Sequence, residues 1–256
     1  MFTPQRTSGN IRHYQPDDVQ RLLHISLLSD QGYKISKLQQ LRGDELRQRI
    51  LSIKSESLRQ RFNVHRLIMH MYASNTDELE AVLDESMMAW GIDATIEKVI
   101  ISFLERTETL SYRDTSIEAH FAVTAIRRKL ILGIEHAKPV AADAKTALLF
   151  LPKGEHFDLI LLYMCYVLKN KGVKVFYLGT NISLENLKLV YKDKLPDSLY
   201  CYMANKSSFP LSDYTAFANA TTSLTNMYIT HAEEEAPYGD NGKLSFPNYK
   251  DALGLH

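Results

Sequence analysis

The stretch that decides the fold is ALLFLPKGEHFDLILLYMCYVLKNKGVKVFYLG, residues 147–179. It begins with an apolar run of strand length at 147–151 and ends with another at 173–179. Between these runs, residues 156–170 have the length and the apolar face of a helix, and Lys171-Gly172 ends it. Two short apolar runs joined by a helix predict a βαβ unit, whose strands are parallel.

The same alternation continues towards the C-terminus. Further strands are predicted at 198–202 and 227–229, and further helices at 183–192, 213–224 and 248–253. This pattern predicts a parallel, doubly wound α/β domain over residues 138–256. Ligands bind such sheets beyond the carboxyl ends of the strands. The predicted ligand-binding loops are therefore 152–156, 179–183, 203–208 and 230–236.

Residues 44–137 have a different pattern, because they read as nearly continuous helix. Gly91 is the one glycine between Asp44 and Gly133, and no proline occurs there. Apolar residues recur at helical spacing, which predicts a linker helix followed by about four antiparallel helices. The linker's apolar residues are Leu46, Ile50 and Ile53. They suit either pairing with a second copy or the core of a single chain, and the sequence leaves both open.

Composition narrows the class of protein. Thirty basic and thirty acidic residues give a formal net charge of zero, which excludes a wholly basic nucleic-acid coat but not a local basic patch. The two cysteines, Cys165 and Cys201, lie in apolar runs and predict reduced core thiols in a cytoplasmic protein. No apolar run reaches the roughly 20 residues of a membrane span, so no membrane association is expected.

Sequence patterns of catalysis and metal binding are absent. The chain has no G-x-S-x-G, no phosphate-binding G-x-x-x-x-G-K, no H-E-x-x-H and no C-x-x-C. His231 followed by Glu233–Glu235 is interpreted as a solvated loop rather than a metal site. We therefore expect no catalytic residues, no bound metal and no enzymatic activity.

The N-terminal residues carry several matches at fixed spacing. They are Pro4, Arg6, Gly9, Arg12 and Tyr14, then Asp18-Val19-x-x-Leu22 and Gly32-Tyr33-x-Ile35. This pattern resembles the second half of a MerR-type winged helix-turn-helix domain. The resemblance implies that Arg6, Arg12 and Tyr14 contact DNA phosphates from the wing, where arginine offers bidentate donors. In that family a base-reading helix-turn-helix precedes the wing, whereas this sequence starts at Met1. We therefore expect an N-terminally truncated regulator that binds DNA only with the missing element.

The remaining sequence resembles the cobalamin-binding sensor module of light- or cobalamin-responsive MerR-type regulators. The resemblance rests on the phrase Glu118-Ala119-His120-Phe121 and on 152–155 followed by a helix and Tyr177-Leu178-Gly179. It implies a helical bundle followed by a flavodoxin-like α/β domain. The predicted division is a partial winged helix at 1–43, a linker helix and bundle at 44–137, and the α/β domain at 138–256. The fold class is thus mainly α and α/β.

The cobalamin motifs of that family are only partly kept. Laid on Glu155, the lower-ligand pattern Glu-x-His-x-x-Gly places Phe157 at the cobalt-coordinating histidine and Ile160 at the glycine. His156 lies one residue early, which turns a helical side chain by about 100°. The upper pattern, tryptophan then nine residues then Glu-His, places Thr109, Ala119 and His120 at its three positions. Paired glycines after the last strand are replaced by the acidic run 231–235.

The remaining cofactor-site residues are His120, Glu155, His156 and Gly179. We interpret the module as one that has lost cobalamin binding, so no cofactor is expected, and that acts in oligomerisation or interaction, with a homo-oligomer expected. The alternative is a working sensor of cobalamin, light or another small ligand that uses His156 or His120 in a rearranged site.

Overall fold

The computed structural model describes residues 5–6, 12–13, 16–107, 117–137, 139–156, 158–203, 210–221, 224, 226–230 and 243–254. These residues form two compact units. The first comprises described residues up to Thr107 together with 117–125, and the second comprises those from Ile126 onwards. The predicted three-part division at residues 43 and 137 stays a prediction.

The first unit is helical apart from one short strand pair. Strands β1 (Gln5–Arg6) and β2 (Arg12–His13) pair antiparallel where the wing is predicted. The helices are α1 (Pro16–Ser29), α2 (Ile35–Leu38), α3 (Gly43–Ser52), α4 (Glu56–Tyr72), α5 (Thr76–Ala94), a π-helical segment (Thr95–Ile100), α6 (Ile101–Arg106) and the start of α7 (Ile117–His136).

Polar side chains cap the starts of α4 and α5. Ser55 Oγ accepts the Leu58 N–H at 3.3 Å, and Asn75 Oδ1 accepts the Glu78 N–H at 3.3 Å. Helix α3 begins at Gly43, and its first turn closes because the Arg42 N–H donates to Glu45 Oε2 at 2.6 Å.

The apolar face of α3 lies in the core of the first unit. Leu46 and Ile50 are fully buried in one cluster with residues of α1 and α4, and Ile53 packs at its edge. The other buried members are Ile25, Leu27, Leu28, Leu38, Leu58 and Phe62. The two alternatives left open by the sequence are thereby decided for Leu46 and Ile50, which form core rather than a pairing surface.

The second unit is a five-stranded sheet flanked by helices. Its elements after the end of α7 are β3 (Thr146–Pro152), α8 (Leu159–Asn170), β4 (Lys174–Ile182), α9 (Leu184–Lys194), β5 (Ser198–Tyr202), α10 (Leu211–Ala220), β6 (Asn226–Thr230), β7 (Leu244–Ser245) and α11 (Tyr249–Ala252). The strands are parallel in the order β4-β3-β5-β6-β7. This is the 2-1-3-4-5 order of flavodoxin-like sheets, which confirms the predicted fold class.

The element boundaries differ from the prediction by up to four residues. Helix α8 begins at Leu159 rather than at 156, and α10 spans Leu211–Ala220 rather than 213–224. Strand β7 has two residues and was too short to leave a periodic signal. Among the described helices, none is both long and apolar enough to cross a membrane.

Candidate ligand-binding edge of the α/β unit

The loop after β3 is the first element of the candidate site. It turns tightly because the Glu155 N–H donates to the Pro152 carbonyl at 3.0 Å and Gly154 takes a φ of +91°. The Glu155 side chain is half-buried, whereas His156 is exposed. The loop therefore turns Glu155 inwards and leaves the imidazole of His156 in solvent.

The end of β4 holds this loop in place. Asn181 Oδ1 accepts the Gly154 N–H at 3.0 Å, and the Asn181 N–H donates to the Glu155 carbonyl at 3.0 Å. Asn181 has a φ of +58°, a left-handed conformation that asparagine tolerates better than most residues. These two bonds bring the β3–α8 loop and the β4–α9 loop together at one edge of the sheet. No sequence pattern indicated this role for Asn181.

Gly179 lies in a β-bulge of the same strand. Leu149 pairs with Tyr177 but Phe150 pairs with Gly179, so Leu178 is the extra residue. Gly179 has a φ of +85°, and an added Cβ would meet only Tyr177 Cε1, at 3.8 Å. The glycine is therefore required by the backbone conformation rather than by a close neighbour.

The charge of Glu155 also affects the pKa values of two residues at the carboxyl end of β5. Burial, with a smaller contribution from the Glu155 charge, raises the pKa of Tyr202 to about 12. The same two causes raise the pKa of the Cys201 thiol well above its usual range. Burial likewise raises the pKa of Cys165 to about 11, against a weaker opposing effect of Lys169. Both cysteines are free and buried, so they fit the predicted core thiols rather than nucleophiles.

An ion pair fixes the start of α8. Arg127, on the second-unit half of α7, donates from Nε at 3.0 Å and from Nη2 at 2.8 Å to Asp158 Oδ1. Burial and the nearby Asp158 charge raise the pKa of Tyr177 on β4. Sequence reasoning missed this pair, because residues 31 positions apart carry no local signal of contact.

The other predicted site residues are placed as follows. Arg6 pairs with Arg12 across β1 and β2, but their side chains, like the whole of Tyr14, lie outside the described part of the chain. His120 is exposed on α7 in the first unit, whereas Glu155, His156 and Gly179 belong to the second. Thr109, Phe157 and residues 231–240 are also outside the described residues. Within the described ranges, no group of three or more His, Cys, Asp or Glu side chains is placed to hold a metal ion.

The residue that the resemblance lays on the family's glycine is part of the packing of the second unit. Ile160, which occupies the position of the family's glycine, is fully buried in the packing of α8. At the adjacent strand end, Tyr202 and Met203 are each 2% exposed. The side chains of Ile160, Tyr202 and Met203 are therefore packed inside the second unit.

Comparison with known proteins finds a family match for the N-terminal segment. Residues 1–44 match the model of MerR HTH family regulatory proteins. Over 184 residues the chain is 26% identical to the HTH-type transcriptional repressor CarA of Myxococcus xanthus, covering 70% of this chain and 59% of that protein. Over 197 residues it is 24% identical to CarH of the same organism, covering 73% and 64%. The chain thus spans about six tenths of the length of these relatives.

Among solved structures, the fold is similar to that of the monomethylamine corrinoid protein of Methanosarcina barkeri. The TM-score is 0.59 at 14% identity, and the similarity covers 74% of this chain and 94% of that one. At this identity the likeness shows the fold, which is a helical bundle joined to a flavodoxin-like α/β unit.

Proposed function

We propose that this protein is a transcriptional regulator whose sensor module works without cobalamin. The chain joins a MerR-type N-terminal segment to a module of cobalamin-binding-like fold. The similarity to two transcriptional repressors supports a regulatory rather than a catalytic role. The proposal places the protein in the cytoplasm, where DNA is accessible and the two buried thiols stay reduced. The module's remaining role is proposed to be oligomerisation or interaction with another protein.

The observation that carries the cobalamin-free proposal is the buried side chain of Ile160. A branched side chain at this position takes the space that the family's glycine leaves for the lower ligand. Two backbone groups of the neighbouring loop are already hydrogen-bonded, because Asn181 accepts the Gly154 N–H and donates its own N–H to the Glu155 carbonyl. The loop is thus held by its own chain rather than left open for a ligand.

A second candidate function is a working sensor of cobalamin or another small ligand. It is favoured by one observation, the exposure of the imidazoles of His120 and His156. An exposed neutral histidine offers a ring nitrogen that can coordinate a metal.

The test is to mix purified protein with hydroxocobalamin, desalt it, and record the visible spectrum. We expect no corrin absorbance to remain with the protein. Retained absorbance contradicts the cobalamin-free proposal and supports the sensor. In that case His156→Ala and His120→Ala identify the ligand, with His136→Ala, an exposed histidine near the end of α7, as the matched control.

The DNA role is tested separately. We propose that Arg6 and Arg12 bind phosphate, so, in a fusion that supplies a MerR-type helix-turn-helix in front of Met1, the variant Arg6→Ala/Arg12→Ala should weaken binding to any duplex equally. The slope of log affinity against log salt concentration should also become shallower by about two, because two phosphate contacts are lost. Fluorescence anisotropy over a salt series measures both, with Arg59→Ala on α4 as the control. Unchanged binding in the double variant refutes the phosphate contacts.

A further inference from the structure

Two histidines are buried where α1 packs on α4. His24 on α1 is 4% exposed and His65 on α4 is 5% exposed. The ring of His24 lies against Phe62 of α4, with centroids 5.3 Å apart. Histidine is rarely so buried unless its polar atoms find partners, so this pair differs from ordinary core residues.

The hydrogen bonds of these rings are incomplete. His65 Nε2 lies 2.9 Å from Arg106 Nη1, and a guanidinium can only donate, so Nε2 accepts and the ring proton lies on Nδ1. In the part of the chain that the structure describes, that Nδ1 has no hydrogen-bond partner, and neither has Nδ1 of His24. Both rings are therefore held neutral with one buried polar atom unsatisfied.

The charges around the rings oppose a proton on either of them. Arg47 of α3 faces His24, while Arg106 of α6, Arg61 of α4 and His24 itself face His65. Asp30 is the carboxylate that favours a charged His65, and it already forms an ion pair with Arg61. Burial first and these cations second lower the pKa of each histidine to about 4, against weaker opposing effects of a hydrogen bond to the Gly43 backbone at His24 and of Asp30 at His65.

Solvent protons have a route to His24. A cavity of about 460 Å³ between the start of α1 and the start of α3 is lined by His24. Its other charged lining groups are Asp17, Asp18, Asp44, Arg21 and Arg47. His24 is thus buried at the wall of a cavity rather than sealed in the core.

We propose that His24 and His65 form a proton-sensitive latch, which holds α1 on α4 while both rings are neutral and releases it when they are protonated. The latch concerns the helix that follows the wing, so it controls whether the MerR-type segment stays docked on the bundle. It is independent of cobalamin and of DNA contact.

The direction of the pH effect follows from the two pKa values. A released histidine has its ordinary pKa of 6.5, whereas the docked one is at about 4, so protons bind the released state more tightly. Docking is therefore complete above about pH 6.5 and weakens as the pH falls towards 4. Each histidine lowers the equilibrium constant for docking by up to about tenfold per pH unit in that window.

The test is hydrogen–deuterium exchange of the full chain at pH 7.5 and 5.5, corrected for intrinsic exchange rates. We expect peptides of α1 to lose up to about 100-fold in protection at pH 5.5. Peptides of α5 and α8 should keep theirs. The variant His24→Gln/His65→Gln should show little pH dependence in α1, whereas His136→Gln should behave like the unmodified chain.

Three results overturn the latch. They are unchanged α1 protection at pH 5.5, an equal loss in the double variant, or a loss shared by α5 and α8. If the double variant does not fold, a histidine titration by NMR on the unmodified chain decides. Titration below pH 6 of the resonances assigned to His24 and His65 supports the latch, and titration of either one between about 6 and 7 refutes it.

Discussion

At the scale of single residues, Asn181 connects the two loops of the candidate site. Its side chain accepts from Gly154, its N–H donates to Glu155, and its left-handed φ places both groups correctly. The sequence predicted the loops 152–156 and 179–183 but not the residue that joins them. A side-chain bond across 27 positions has no periodic signature. Gly179 was predicted from a resemblance as a cofactor residue, which stays a prediction, and the structure adds that its positive φ favours glycine there.

Replacing Asn181 separates its two roles. Asn181→Ala should lower the free energy of unfolding of the second unit by about 2 kcal/mol. About 1 kcal/mol comes from the lost hydrogen bond and a similar amount from the left-handed conformation. Asn181→Gly relieves the conformation and should cost less, and Asn181→Asp keeps the acceptor. Urea unfolding followed by circular dichroism measures the series. An equal cost for all three variants contradicts this assignment.

At the scale of elements, α5 shows what helical periodicity misses. The pattern predicts helix across residues 44–137, yet the chain kinks at Gly91, where φ is 80° and ψ is 173°. Thr95 Oγ1 donates to the Gly91 carbonyl at 2.8 Å, and a π-helical segment follows the kink. A lone glycine in a helical pattern is compatible with a straight or a broken helix, so the sequence alone did not distinguish them.

Backbone conformation predicts opposite effects of alanine substitution on stability at Gly91 and at Gly43. Gly91→Ala should destabilise the first unit by about 1 kcal/mol or more, because alanine is strained at that positive φ. Gly43→Ala, at the start of α3 where φ is not positive and nothing lies within 4 Å of the added Cβ, should be neutral or stabilising. Thermal unfolding of both variants is the measurement. A stable Gly91→Ala protein with unchanged helix content means that α5 is straight in solution.

Helix α3 offers a matched pair that tests its buried face. Ile50 is fully buried, and its neighbour Leu51 is 47% exposed. Ile50→Ala should cost about 2–5 kcal/mol of unfolding free energy, whereas Leu51→Ala should cost much less. Urea unfolding at two protein concentrations checks both. If the cost of Ile50→Ala changes with concentration, Ile50 serves a contact between copies rather than the core.

At the scale of the whole molecule, the sequence predicted the architecture well and its long-range contacts poorly. Strand and helix patterns over 147–229 are local, so they predicted a parallel doubly wound sheet. The order β4-β3-β5-β6-β7 and the pair Arg127–Asp158 depend on contacts between distant segments. Those contacts become visible only when the chain is folded.

A whole-molecule prediction follows from the cobalamin-free proposal. A ligand that binds only the folded chain stabilises it, by about 2.7 kcal/mol at a hundredfold excess over its Kd. Hydroxocobalamin should therefore leave the thermal unfolding midpoint of the full chain unchanged. Cyanocobalamin, whose cobalt already carries a bound cyanide, is the control for nonspecific effects. A rise with hydroxocobalamin alone argues for coordination by a histidine.

The bulged strand β4 also bears on how the protein behaves at high concentration. β4 lies at an edge of the sheet and, with nine residues, is the longest described strand. A long, regular edge is a template for pairing with strands of other molecules. The bulge at Gly179, the left-handed Asn181 and the exposed Lys174 interrupt that edge. Gly179 and Asn181, which shape the candidate site, thus also hinder the pairing of β4 with strands of other molecules.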